Sequence, residues 1–283
     1  METVEISRRD LCKTFTAAAV AALPAAAFAA GADAPAKKTP RLQGTMGELG
    51  LRKLGLIGGI GPESTVPYYY GIVYGVQKKL NRHFFPTLAI ESINVYDVMG
   101  MANKRDYDRL TGYLLNGLDN LVAAKCEAIA LTGNTPHVVL DRLQAECPVP
   151  IISIVQTACD EAKRRGYKRV VLLGTYATMD ADFFRKPFVE AGIDIVVPKE
   201  EDKKLIQQRI GSELELGVVK DSTRAEISGI AEKLMKDSGA QGVVLGCTEL
   251  PMLYKDVKAP FPTLDIMALH IQALIDFITS PRK

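Results

Sequence analysis

The chain has 283 residues, of which 47% are hydrophobic and 24% charged, and 35 basic against 33 acidic side chains leave a net charge of +2. That length holds one large domain or two similar small ones, and the balance excludes both an acidic tail protein and the basic surplus of a nucleic-acid binder. Five cysteines are too few for a disulfide scaffold.

Residues 1–31 have the layout of an export signal. Ser7-Arg8-Arg9-Asp10-Leu11-Cys12-Lys13 precedes a run of Ala, Val, Leu and Phe, and small residues then offer Ala-x-Ala cleavage sites. The paired arginines resemble a twin-arginine signal, which implies transient contact with that export machinery, a periplasmic or otherwise extracytoplasmic home, and no stable membrane insertion after cleavage. Residues 32–52, rich in Ala, Pro, Lys and Gly, are expected to form a disordered lead-in. Cys126, Cys147, Cys159 and Cys247 remain after cleavage. Cys147 and Cys159 could pair, which spacing alone does not decide.

From residue 53 onward strands alternate with helices. The first apolar run, 53–58, ends in the turn LIGGIGPEST (56–65). Its spacing departs from the dinucleotide fingerprint G-x-G-x-x-G. Ile60 and Gly61 lie in that turn, which either offers backbone N–H groups to a carboxylate or serves as a tight structural turn. The run 87–94 is followed by Lys104 and Arg105, either readers of a distal carboxylate or a solvated charge cluster, and then by a helical segment, 105–125. The run 127–132 ends in TGNTPH (132–137), where Asn134 and Thr135 can cap a helix or donate to a substrate carboxylate. After 149–154, a helix over 155–166 and the run 168–174, LLGTYATMDADFF (172–184) puts Thr175 and Thr178 at a strand end, each able to cap a helix beginning near Asp180 or to line a cleft. Helices at 180–191 and 222–239 flank runs at 193–198, 241–246 and 261–265.

GCTELP (246–251) carries Cys247, Thr248 and Glu249 where a buried strand leaves its sheet. A thiol near a helix N-terminus is expected to ionise below its free pKa of about 8.5, whereas Glu249 opposes the thiolate. The other cysteines lack C-x-x-C spacing or a nearby histidine, so no metal site is expected. Such alternation predicts an α/β fold of parallel sheets flanked by helices. It also repeats: Gly58 and Gly174 lie 116 residues apart, and Gly133 and Cys247 lie 114 apart. Two pseudo-symmetric, intertwined lobes are therefore expected, over about 53–154 and 155–283, with Gly133 and Cys247 on opposite walls of a cleft between them.

GGIGPEST, GNTPH, LLGTYATMDADFF and GAQGVVLGCTELP together resemble the aspartate/glutamate racemase family, from about Leu54 to Phe277. The resemblance implies two similar α/β lobes, no cofactor, a homodimer and a small-molecule amino-acid substrate. Its chemistry is removal of the Cα proton of an acidic amino acid from one face and return from the other, by one cysteine per lobe. Cys247 matches the second cysteine; Gly133 stands at the first and has no group to give or accept a proton. Carried over by motif, Asn134, Thr135, Thr248 and Glu249 hold substrate, with Ile60, Gly61, Thr175 and Thr178 as neighbours. A water in the space at Gly133 would be a weak substitute for the missing thiol. Glycine with a single cysteine also resembles the arylmalonate decarboxylases, which protonate an enediolate from one side. Three outcomes follow: a slow racemase of aspartate or glutamate, a one-base decarboxylase or isomerase of a dicarboxylate, and a non-catalytic periplasmic binding protein.

Overall fold

In the computed structural model, which describes residues 45–282, all eight apolar runs form strands. The first half runs α1 (Thr45–Glu48), β1 (Leu54–Gly58), α2 (Pro62–Leu80), β2 (Leu88–Ser92), α3 (Val95–Asn103), α4 (Tyr107–Ala123), β3 (Ala128–Leu131), a 3-10 turn (Thr135–Val139), α5 (Leu140–Glu146) and β4 (Ile151–Ile152). The second runs α6 (Ile154–Arg164), β5 (Arg169–Leu173), α7 (Tyr176–Asp180), α8 (Asp182–Glu190), β6 (Asp194–Val196), α9 (Glu200–Ser212), a 3-10 turn (Leu214–Leu216) and α10 (Asp221–Ser238). It closes with β7 (Val243–Leu245), a 3-10 turn (Leu250–Tyr254), β8 (Thr263–Asp265) and α11 (Ile266–Thr279). The export signal expected over 1–31 lies outside the described residues.

The strands form two four-stranded parallel sheets, ordered β2-β1-β3-β4 and β6-β5-β7-β8. The second order is the first with four added to each strand, so the faint sequence repeat is a repeat of topology. In each sheet the chain reverses its direction of travel beside the first strand. Ligands of open parallel sheets sit beyond the carboxyl ends of strands at such a switch point. There lie GGIGPEST and GNTPH in one sheet and GTYAT and GCTELP in the other.

Burial explains the elements. Leu54, Leu56 and Ile57 of β1, and Val170, Val171, Leu172 and Leu173 of β5, have no exposed surface, as strands covered on both faces must. Helix α6 buries Ile154, Val155, Ala158, Cys159 and Ala162, one stripe at helical spacing, and Ser153 caps it by accepting from Gln156 N–H. Helix α2 starts at Pro62, whose missing N–H has no helical partner to lose, and stops at Asn81 in the left-handed region.

Three expectations change. The unstructured lead-in expected over 32–52 stops short: Thr45–Glu48 is helical, and Leu51 is buried because its N–H ties back to Met46. The helix expected over 180–191 runs Asp182–Glu190, and a short helix that the sequence did not mark, Tyr176–Asp180, precedes it. All four described cysteines are free thiols, Cys147 and Cys159 included; Cys159 instead donates to Pro187 O. The lobes interlock through α11, whose Leu274, Ile275 and Ile278 complete the core of Leu54, Leu56 and Tyr68. Across the same junction Tyr68 Oη meets His270 Nδ1 at 2.7 Å, and His270 Nε2 meets Ile152 O at 2.9 Å. Since a carbonyl only accepts, Nε2 carries the proton and Nδ1 accepts from the tyrosine.

Candidate active site

The turn after β1 is shaped by Gly59. Its φ is +75°, and a Cβ there would lie 2.2 Å from Ile93 O, so only glycine fits. Its N–H donates to Thr65 Oγ1, and the Ser64 and Thr65 hydroxyls donate back to Gly61 O, which fixes the start of α2. Ile60 then turns toward the second motif. A Cβ built on Gly133 would meet Ile60 Cγ2 at 2.9 Å. A side chain at 133 would thus begin in close contact with Ile60.

The loop after β3 joins the two lobes. Asn134 does not cap the 3-10 turn that follows it; its Nδ2 donates to Gly246 O at 2.8 Å, the carbonyl next to Cys247. The GNTPH and GCTELP motifs thus meet, as the repeat required. Asn134 Oδ1 is buried with no hydrogen-bond partner. His137 anchors the same loop: its Nδ1 lies 3.1 Å from Gly133 O, and burial lowers its pKa to about 4. It is neutral and structural, and the proton sits on Nδ1.

Cys247 departs from the expected lowering of its thiol and keeps the expected opposition of Glu249. Burial first, then the charge of Glu249, pushes its thiol well above the ordinary range, the reverse of the helix-terminus effect. The helix expected to lower it is only a five-residue 3-10 turn, Leu250–Tyr254, and burial outweighs it, with Glu249 adding to the shift. The thiol donates to Glu249 Oε2, while Thr248 Oγ1 donates to Glu249 Oε1 at 2.7 Å. Cys247 is 5% exposed.

A cavity of about 580 Å³ is lined by Thr135 from the first lobe and by Thr175 and Thr178 from the second, with Arg105, Tyr107 and Phe183 among its other walls. That volume suits a small-molecule site. Thr175 caps α7 by accepting from Thr178 N–H, and the two hydroxyls lie 3.0 Å apart. Cys247, Thr248, Glu249, Asn134, Ile60 and Gly61 are not among the lining residues. The structure separates the two basic residues treated together above. Lys104 lines a different hollow between α3 and α4, whereas Arg105 faces the threonines. Arg105 has φ +55°, a left-handed conformation that costs of order 1–3 kcal/mol in a non-glycine residue, and has no ion-pair partner among the described residues. The sequence signal for it was only its place after a helix that follows an edge strand.

With this geometry in view, the relatives are informative. The Asp/Glu/Hydantoin racemase family model matches residues 57–274, and the chain belongs to that family. The broad specificity amino-acid racemase of Bacillus subtilis is 24% identical over 221 residues, which cover 76% of this chain and 93% of that one. Among solved structures, an aspartate racemase homologue from Pyrococcus horikoshii shares 36% identity with a TM-score of 0.74, covering 81% of this chain and all of its own. A candidate Asp/Glu racemase from Yersinia pestis shares 30% identity with a TM-score of 0.77 over the same shares. The protein is thus an amino-acid racemase homologue, an isomerase of the two-lobed α/β type.

Proposed function

We propose that the protein is a cofactor-independent racemase of aspartate or glutamate, exported from the cytoplasm, in which Cys247 is the one thiol that moves the Cα proton. The observation that carries this reading is the Asn134 Nδ2 to Gly246 O bond, which draws the substrate-holding loop of one lobe against the cysteine loop of the other. The bare Asn134 Oδ1 beside it is an acceptor suited to a substrate ammonium. Thr135, Thr175 and Thr178 offer hydroxyls to the α-carboxylate, and Arg105 offers a guanidinium to the distal one. Thr248 and the glycine turn complete the donor set that stabilises the developing enediolate. The export route rests on residues 1–31 alone.

In the forward step the Cys247 thiolate takes the proton from Cα, and the C–H electron pair passes into the carboxylate to give an enediolate. A proton then returns to the opposite face. Gly133 cannot supply it, so it comes from solvent, and the absence of a second positioned acid–base group slows turnover by roughly 10²–10⁴. Because Cys247 does not line the cavity, this reading requires the 246–249 loop to open toward substrate.

The close packing of Ile60 on Gly133 favours a second reading, one-base chemistry on a dicarboxylate. Incubation with each enantiomer of aspartate and glutamate in deuterated water separates the readings. Deuterium at Cα with loss of optical purity supports racemisation. Exchange with retention supports the one-base reading, and binding without exchange supports a binding protein.

A further inference from the structure

We propose that the cavity also takes an amino acid whose far end is itself zwitterionic, a diamino dicarboxylic acid, with Arg105 reading its distal carboxylate and Asp182 its distal ammonium. This rests on the racemase reading above and widens its substrate class. The cavity measures about 580 Å³. Clefts of about 300–1,000 Å³ take drug-sized ligands, so a four-carbon acid leaves much of this one unfilled. Three charged side chains line it, Arg105 from the first lobe and Asp180 and Asp182 from the second. Asp180 is already neutralised by Lys203, whose ammonium also lies over the Tyr176 ring. Asp182 is exposed and, like Arg105, has no ion-pair partner among the described residues. The two lobes therefore present one uncommitted anion and one uncommitted cation to the same space.

Aspartate and glutamate answer only half of that wall. Their far end is a carboxylate alone, which Arg105 attracts and Asp182 repels. An amino acid with a distal ammonium alone reverses the problem and sets a cation against Arg105. A distal carbon that carries both groups meets both residues, and Met99, Val138 and Phe183 supply apolar surface for the methylene groups that separate the two ends. The chemistry is unchanged: one Cα–H bond breaks and re-forms on the opposite face, so the product is an epimer with no other atom gained or lost. Asp182 also opens α8, where the helix macrodipole favours an acid, but that role is indifferent to the substrate's far end. Because Asp182 is exposed, water replaces a missing ammonium in part. The expected discrimination is therefore about tenfold, the strength of one charged hydrogen bond, and not the roughly 10⁴ of a sealed polar site.

The test uses the full chain, its Asp182→Asn and Arg105→Gln variants, and two probes of equal length, L,L-diaminopimelate and L-α-aminopimelate, which differ by one ammonium. Deuterium incorporation in deuterated water gives kcat/KM per Cα for each. The unaltered protein should prefer the diamino acid by about tenfold or more, and Asp182→Asn should bring the ratio close to one. Arg105→Gln should lower both values and leave the preference standing. A ratio near one in the unaltered protein would overturn the proposal. So would a preference that survives Asp182→Asn, the result expected if that carboxylate serves only the end of α8. Calorimetric Kd values for the same probes separate this proposal from the reading it rests on. If aspartate, glutamate and both probes all fail to exchange, the racemase reading fails. Tighter binding of the diamino acid, lost in Asp182→Asn, would then still assign the two residues, and equal or absent binding of the probes would overturn that assignment.

Discussion

Gly133 and Ile60 must be considered together. With Ile60 Cγ2 at 2.9 Å from the place of a new Cβ, restoring a thiol by Gly133→Cys alone overfills the site. We expect a stability loss of about 1–3 kcal/mol by denaturant titration and no gain in racemisation. Ile60→Ala with Gly133→Cys should relieve the contact and raise inversion above the single variant; equal rates in both would show that the second face is closed by something else. Arg105 carries the other residue-scale prediction. Arg105→Gln removes a charge-assisted bond of about 1.5–3 kcal/mol, so KM for aspartate should rise roughly 10–100-fold while stability holds, the left-handed backbone being equally strained in both. An unchanged KM would return Arg105 to the solvated surface.

At the scale of elements, the lobe junction is sensitive to acid. Burial lowers His270 to about 3, with His137 adding repulsion, and burial lowers His137 to about 4. Both stand near 6.5 in the unfolded chain. The unfolded state therefore binds more protons below that value, and the folded state loses stability as pH falls from about 6.5 toward 3. Each histidine contributes about 1.4 kcal/mol per pH unit well inside that window. His270→Gln should flatten the decline between pH 6 and 4 in urea melts, although its loss of the Tyr68 contact lowers stability at pH 7. An unchanged slope would mean that His270 already titrates normally.

Strand positions were legible because a strand covered on both faces must be a short Val, Ile and Leu run, and each such run became one. The pairing of motifs at the switch points followed from the 114–116-residue offset. The short helix Tyr176–Asp180 was hidden, since Thr175 caps it and the expected helix begins almost directly after it at Asp182. The environment of Cys247 was hidden for a different reason. Local sequence names a strand end and a nearby turn but not depth of burial or the direction of a carboxylate two residues on, and those set the sign of the thiol's shift.

For the whole molecule, two sheets of one topology, locked by α11 and by the Asn134 bridge, bring four strand-end loops toward one place. The family match, over residues 57–274, covers both lobes. The two lobes differ at corresponding strand ends: one carries Cys247 with Glu249, and the other sets Gly133 against Ile60. The most direct measurement is Cα–deuterium incorporation into aspartate and glutamate by the protein and by Cys247→Ala. The account predicts slow exchange with loss of optical purity that falls at least about 100-fold in the variant. Exchange as fast without the sulfur as with it would contradict it.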